Sequence, residues 1–341
     1  MRSAERDTLT RVRLRVLVCP RCGAPLPKRA ALVRVVCEYC KSEVTIERYA
    51  VKVADYRRTL QDYVGAVGPD IIAVDQARFR LLQRIATGHS ADVWRAERAT
   101  RLSERVIIKI LRDPADEPLL QNEQAVLAEL ANSSAKGTDF FAAFLPQRVG
   151  FGVGSGPSGA ARLSAVFREP AGFSHTLSGV QRVYPDGIDA RHLVWIWRRA
   201  LELLGWLHLS GFVHGAVLPE HLLINARDHA LRLVGFACAG RPGARLAAIS
   251  PEDQALYPES LLDGGALSTH VDRIMLARTL LQAWAGNALR AGNAIPSELG
   301  QLLEREASGA GKLDAWALSE EVSAAAKQCF GPPKFVALRL S

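Results

Sequence analysis

Apolar and polar residues alternate in two short stretches near the start of the chain, a pattern typical of strands. The alternating apolar positions are Val33 and Val35, and then Val44 and Ile46. The alternation therefore predicts a small β unit in the first 50 residues.

The periodicity then changes from that of strands to that of helices. Residues 49–66 carry apolar side chains three or four positions apart, and a stretch containing Gly and Pro follows at 65–70. Such a stretch usually interrupts regular structure. We therefore predict a helix and a linker over residues 49–75, a large domain over 76–330 and a C-terminal tail over 331–341.

The large domain has a strand-rich first part and a helical second part. From Phe79 the pattern indicates several strands, one helix and more strands, whereas residues 190–210 have a long helical period. The apolar face of that long helix consists of Leu193, Trp197, Ala200, Leu201, Leu204 and Leu207. Strands followed by helices predict an α+β fold.

Four of the six cysteines form two C-x-x-C pairs separated by 14 residues. They are Cys19, Cys22, Cys37 and Cys40. Each pair is a tight turn that points two thiolates at one ion, and four thiolates close a tetrahedral zinc site without leaving a position for water. We predict a structural zinc ribbon over residues 15–48, with a redox dithiol pair or a chance spacing as the alternatives.

The net charge of +8 is concentrated near the start of the chain, where residues 1–50 carry 11 Lys or Arg and 5 Asp or Glu. A basic segment of this kind attracts nucleic acid, an acidic protein or an anionic membrane surface, or serves only as a solubilising surface. No apolar run reaches the roughly 20 residues that span a bilayer, and the charged start is unlike a signal peptide. A cytoplasmic location without a membrane span is the default expectation.

Several ordered segments of the large domain resemble protein kinase motifs. Residues 82–96 resemble the glycine-rich loop with one of its three glycines kept, and Val106-Ile107-Ile108-Lys109 resembles the strand that carries the phosphate-binding lysine. In this resemblance Glu123 is the partner of Lys109 on the following helix. The positions that imply a remnant of a nucleotide pocket are Gly88, Val93, Lys109, Glu123 and Leu223.

At the positions that match the catalytic residues of kinases, this chain has residues that cannot perform the same roles. Residues 214–224 resemble the kinase catalytic loop, but Ala216 replaces the proton-accepting Asp and His221 replaces the metal-binding Asn. Gly235 replaces the second metal ligand ahead of Phe236, or Val234 does if the alignment is shifted by one residue, and neither residue has a carboxylate. The resemblance therefore implies a pseudokinase for which Mg²⁺ is not expected, and it leaves ATP binding open.

The scaffold positions of the resemblance are kept. Asp272 matches the buried Asp that braces the catalytic loop, and Leu127, His214 and Phe236 match a hydrophobic spine between the lobes. The positions that pack match the family, whereas the positions that hold protons and metal do not. The resemblance implies a two-lobed protein kinase-like fold, preceded by the small β zinc ribbon.

Three functional hypotheses follow from the sequence. The first is a non-catalytic pseudokinase that acts as a protein-binding scaffold or regulatory module, with the ribbon as a second interaction surface. The second is a divergent ATP-dependent kinase or nucleotidyl transferase that recruits another carboxylate, for instance Glu220 or Asp253. The third is a nucleic-acid-binding protein that uses the basic ribbon.

Overall fold

The computed structural model describes residues 34–37, 40–45, 71–155, 161–285 and 295–340, and the statements below concern these residues. The chain divides into two compact units, residues 1–70 and 71–341. Each unit is described separately.

In the first unit a two-stranded antiparallel hairpin is described. Strand β1 (Arg34–Val36) pairs with β2 (Glu43–Thr45), and Val35 lies opposite Val44. The strands lie where the alternating pattern predicts them. The predicted ligands Cys19 and Cys22, and the predicted helix over 49–66, lie outside the described residues.

The second unit begins with a closed antiparallel barrel, whose strands neighbour one another in the order β3-β4-β5-β6-β8-β7. Its strands are β3 (Ile71–Val74), β4 (Ala77–Thr87), β5 (Ala91–Arg98), β6 (Arg101–Leu111), β7 (Arg148–Ser155) and β8 (Ala161–Arg168). Apolar side chains fill the interior, among them Ile72, Phe79, Val106, Ile108 and Val166.

Strand β3 lies in the segment that the sequence assigns to the linker over residues 49–75. Ile72 and Val74 are fully buried while Ile71 and Ala73 point outward, so these four residues alternate like the rest of the barrel. The last barrel pairing joins Val74 to Gly154 of β7. The structured domain therefore starts at Ile71, five residues before its predicted boundary at 76.

Eight α-helices are described, and most of them follow the barrel in sequence. They are α1 (Glu117–Ala131), α2 (Thr138–Phe141), α3 (Leu177–Val183), α4 (Ala190–Leu209), α5 (Glu259–Leu262), α6 (Thr269–Ala285), α7 (Ser297–Ala307) and α8 (Ala315–Phe330). Asp189 caps α4 and Asp314 caps α8, each by accepting a hydrogen bond from a backbone N–H of the first turn. Among the described residues, no helix combines the length and apolar character needed to cross a membrane.

The helical lobe is built around α4. All six residues of its predicted apolar face are at most 2% exposed, which confirms the helix and its buried side. A small antiparallel sheet lies beside the helices, with β10 (Leu222–Asn225) between β9 (His175–Thr176) and β11 (Ala230–Leu233).

Residues 331–340 pack against the helical lobe, an arrangement that the sequence pattern did not indicate. The Phe335 ring stacks on His229 at 4.3 Å between centroids, and the His229 ring stacks in turn on Trp195 at 4.5 Å. Leu338 is buried, and the Tyr184 hydroxyl donates to the carbonyl oxygen of Arg339 at 2.8 Å. The predicted tail is therefore part of the packed domain.

Candidate functional site

The barrel and the helical lobe are joined at the site by an ion pair. Lys109 on β6 points its Nζ at both carboxylate oxygens of Glu123 on α1, at 2.6 and 2.8 Å. The Glu123 side chain is 1% exposed, and one of its oxygens also accepts the backbone N–H of Phe236 at 3.1 Å. The predicted partnership of Lys109 and Glu123 is therefore present, and it also holds the segment that follows β11.

A second contact fixes α1 to the same segment. The side-chain amide of Asn122 donates to the carbonyl oxygens of Ala237 and Ala239, at 2.9 and 2.8 Å. Asn122 and Glu123 thus use adjacent positions of one helix to bind three backbone groups within residues 236–239. The position of α1 relative to residues 236–239 is set by contacts within the chain.

The loop before β10 is held by Asp272 at the start of α6. This fully buried carboxylate accepts the backbone N–H groups of His214 and Gly215, both at 2.8 Å, and it lies 2.9 Å from Nε2 of His208. Three partners satisfy the buried charge, as such a group requires. The role inferred for Asp272 as a brace of this loop agrees with its contacts.

His221 turns its ring toward the loop. Its Nδ1 lies 2.7 Å from the carbonyl oxygen of Ala216, so Nδ1 carries the proton and donates it. Ala216 itself is buried and offers only a methyl group where the resemblance expects a proton acceptor. The two altered positions of the loop are therefore in direct contact with each other.

Gly235 lies against that ring because Val234 donates its backbone N–H to the carbonyl oxygen of His221 at 2.9 Å. A Cβ placed on Gly235 would meet three ring atoms of His221 at 2.5 to 2.6 Å. Gly235 also has φ of +84°, a conformation that favours glycine. The imidazole of His221 therefore occupies the space that a carboxylate side chain at position 235 would need.

The two buried imidazoles of this site are kept neutral. Burial lowers the pKa of His214 to about 4, and burial also lowers the pKa of His221, which the positive charge of Lys109 depresses further. The rings of His214 and Phe236 meet edge to face at 4.7 Å between centroids. Both imidazoles therefore serve as packing groups at neutral pH.

His214 is expected to make the free energy of unfolding depend on pH. Because its folded pKa lies below its unfolded value of 6.5, acidification adds a proton to the unfolded chain first and so favours unfolding. We expect His214 to remove up to about 1.4 kcal/mol of stability per pH unit between about pH 6.5 and 4. Urea unfolding across this range should show a shallower loss for His214→Phe, and an equal slope in both proteins would contradict the assignment.

The upper wall of the site comes from the barrel. Val93 and Ile107 on neighbouring strands are half-buried, and Phe167 on β8 is buried, with Nζ of Lys109 lying 5.8 Å from its ring centroid. Leu223 on β10 is also half-buried. At the turn between β4 and β5, the N–H of Gly88 donates to the carbonyl oxygen of Ala91 at 2.9 Å. That N–H is thereby engaged in closing the hairpin.

The segment after β8, which links the barrel to the helical lobe, uses its own backbone donors. Arg168 donates its N–H to the carbonyl oxygen of Gln147 at 2.9 Å, and Glu169 donates to that of Arg105 at 3.1 Å. Pro170 has no N–H. Residues 168–170 therefore offer no free backbone N–H to the base of a nucleotide. Pro170 could have indicated this from the sequence, because proline has no N–H.

Two of the four predicted zinc ligands are described. Cys37 is fully buried and Cys40 is partly buried. Lys41, at φ of +57°, donates its N–H to the carbonyl oxygen of Cys37 at 2.9 Å. No group of three or more potential ligands occurs within the described parts of the chain, and Cys19 and Cys22 lie outside them.

No family model matches the sequence, and no curated protein matches it either. Solved structures do resemble the fold. The BubR1 kinase domain matches with a TM-score of 0.57 at 12% identity, over 81% of this chain and 94% of that one. Vaccinia related kinase 3 matches with a TM-score of 0.56 at 14% identity, over 76% of this chain and 91% of that one. The chain therefore has a protein kinase-like fold.

Proposed function

We propose that the chain is a non-catalytic pseudokinase that works as a protein-binding scaffold or regulatory module. The observation that carries this proposal is the position of His221, whose ring lies where the side chain of residue 235 would extend. Phosphoryl transfer depends on positioning and on metal ions that neutralise the developing charge. A site with a neutral imidazole in place of a metal-binding carboxylate lacks that neutralisation.

The position where a kinase has its proton acceptor supports the same proposal. Ala216 has no proton acceptor in its side chain, and its carbonyl oxygen is engaged by His221. The hypothesis of a divergent enzyme requires another carboxylate to take over this role. Of the two residues considered for it, Glu220 is exposed, and Asp253 accepts a hydrogen bond from the hydroxyl of Ser250 at 2.8 Å.

The contacts of α1 support a binding role. Asn122 and Glu123 fix this helix to the backbone that follows β11 through hydrogen bonds within the chain. A surface that is ordered before a partner arrives loses less conformational entropy on binding. The domain is therefore suited to present a preformed surface to a protein partner.

The proposal is tested by measuring transfer of phosphate and of AMP from labelled ATP, with Mg²⁺ and with Mn²⁺. We expect no transfer by the full chain above that of the Lys109→Met variant. Transfer that Lys109→Met abolishes would overturn the non-catalytic assignment in favour of the divergent enzyme. Both proteins should be compared at equal folded fraction, because Lys109 also contributes to stability.

We further propose that Cys19, Cys22, Cys37 and Cys40 hold one structural zinc ion, and that the ribbon offers a second interaction surface. The purified protein should contain one zinc per chain, and Cys37→Ser should lose it because three thiolates bind zinc less tightly than four. Cys329→Ser is the control, since Cys329 is not among the predicted ligands. Metal analysis that finds zinc retained in Cys37→Ser would contradict the site.

A further inference from the structure

Residues 331–340, which we call the tail segment, contact the helical lobe as a bound peptide would. Helix α8 ends at Phe330 and is followed by Gly331, with φ of +75°, and by two prolines, which lack a backbone N–H. Residues 332–340 belong to no helix or strand, and no backbone-to-backbone hydrogen bond of the described chain includes them. Departure of the tail segment from the lobe would therefore interrupt no regular element.

Two backbone carbonyl oxygens of the tail segment accept hydrogen bonds from the lobe. His229 donates from Nε2 to the carbonyl oxygen of Val336 at 2.8 Å, and the Tyr184 hydroxyl donates to that of Arg339 at 2.8 Å. Every residue has a backbone carbonyl, so these two bonds are open to any extended chain. They position the segment but do not select its sequence.

The apolar side chains of the tail segment provide the selectivity. The Phe335 ring stacks on His229 at 4.3 Å between centroids, and the His229 ring stacks in turn on Trp195 at 4.5 Å. Leu338 is 5% exposed, and Leu340 packs partly buried against the core of the helical lobe. The contact therefore selects an aromatic residue that is followed by aliphatic residues three and five positions later.

The groups that hold the tail segment are positioned by the lobe itself. Trp195 lies on α4 and donates Nε1 to Nδ1 of His192 at 3.4 Å. His229 lies in the turn between β10 and β11, in which Oδ1 of Asn225 accepts two backbone N–H groups at 3.1 and 3.2 Å. Tyr184 follows α3 and donates its N–H back into that helix at 2.9 Å. The surface is therefore preformed for another segment when the tail segment leaves.

The tail segment covers this surface incompletely. Of its ten residues only Leu338 is buried, and Phe335 is 66% exposed although it stacks on His229. The short connection to α8 gives the segment an effective concentration at the surface on the order of millimolar. The segment therefore occupies the surface by default, and a competitor binds with an apparent affinity that is reduced by this occupancy.

We infer that the surface formed by Tyr184, Trp195 and His229 is a docking site for an extended segment of a partner protein. The tail segment occupies the docking site in cis until the partner displaces it. The partner segment carries an aromatic residue followed by aliphatic residues three and five positions later, as the tail segment does. The side chains of Lys334 and Arg339 are exposed, so their charges are not part of this pattern.

The test uses a fluorescein-labelled peptide with the sequence of residues 333–340 and follows its anisotropy on binding to the full chain. Phe335→Ala/Leu338→Ala removes the main side-chain contacts of the chain's own tail segment. The peptide should therefore bind this variant more than about ten-fold more tightly than the unaltered chain. The matched control is Phe140→Ala/Leu209→Ala, which removes the same side chains at two exposed positions outside the docking site. It should stay within about three-fold of the unaltered chain, because distant sites act independently.

A variant of the lobe tests whether the peptide binds at the docking site. His229→Gly removes the ring and its donor, and glycine suits the φ of +48° at this position. Added to Phe335→Ala/Leu338→Ala, it should weaken peptide binding by more than about ten-fold. A peptide with Ala at the positions of Phe335 and Leu338 should lose binding in the same way. Thermal unfolding verifies that the variants remain folded, and Phe335→Ala alone repeats the test with a change at an exposed side chain.

Equal peptide binding by the unaltered chain and Phe335→Ala/Leu338→Ala, or binding by neither, would overturn the inference. Dimers of the unaltered chain that Phe335→Ala/Leu338→Ala abolishes would also overturn it, because the tail segment of a second copy would then fill the docking site. The inference rests on the proposed binding role. The transfer assay tests the non-catalytic assignment independently of peptide binding, so the two failures are distinguishable.

Discussion

Gly235→Ala is expected to lower the free energy of unfolding by about 2 to 5 kcal/mol. The added methyl group would lie 2.5 to 2.6 Å from three ring atoms of His221, and overpacking of this kind costs about 1 to 3 kcal/mol. The φ of +84° adds about 1 to 2 kcal/mol for a residue with a Cβ. Urea unfolding of the two proteins measures the sum.

Gly243→Ala separates the two contributions. Gly243 has φ of +90°, yet a Cβ there would meet nothing within 4 Å, so this variant reports the backbone strain alone. A double-mutant cycle with His221→Ala should give a coupling of about 1 to 3 kcal/mol, since removing the ring removes the clash. Additivity within about 0.5 kcal/mol would show that His221 does not fill the space beside residue 235.

Lys109→Met is expected to destabilise the domain by about 3 to 5 kcal/mol. The Glu123 carboxylate is 1% exposed and would lose the one cation that pairs with it in the described part of the chain. Leaving one partner of a buried ion pair uncompensated has a cost of this size. The hydrogen bond that Glu123 accepts from Phe236 would persist, but one neutral donor does not replace an ammonium group.

The double variant Lys109→Met/Glu123→Leu tests this explanation. Replacing both charges with apolar groups should be less destabilising than Lys109→Met alone, because no buried charge is left unpaired. Arg199→Met is the surface control, since Arg199 is 52% exposed and its 2.7 Å pair with Glu202 should contribute less than about 1 kcal/mol. A double variant less stable than Lys109→Met would show that Glu123 is stabilised by other groups.

The parts of the site that depend on local motifs were predictable from the sequence. Lys109 and Glu123 pair as expected, and Asp272 holds the loop at His214 and Gly215. The helix over 190–210 and its buried face also followed from periodicity. In each case the residues carry a pattern that depends on neighbours within one element, or on motifs in a fixed order.

The contact between His221 and Gly235 was not predicted, although both positions were identified as altered. It depends on how the start of β10 meets the end of β11, which periodicity does not report. The side-chain volumes did carry a signal. Compared with the kinase motif, position 221 has a larger side chain and position 235 has none, which indicates that the first fills the space of the second. Strand β3 was missed for a different reason, since its four residues follow a Gly-Pro-Asp sequence that indicates a linker.

The packing of the tail also lacked a local signal. Phe335 and Leu338 lie in a short segment without helical or strand periodicity, and their partners His229, Trp195 and Tyr184 are more than 100 residues earlier. Contacts at that separation become visible only when the helical lobe is assembled.

We propose that side chains pack where the metal ligands of a kinase would stand, as His221 does beside Gly235, so that the site does not hold Mg²⁺. Thermal unfolding with ATP, in the presence and absence of Mg²⁺, tests it most directly. A ligand at about 100 times its dissociation constant adds roughly 2.7 kcal/mol, which is a shift of several degrees or less in a domain of this size. We predict that any shift with ATP is the same with and without Mg²⁺. A shift that requires Mg²⁺ and disappears in Lys109→Met would contradict the account.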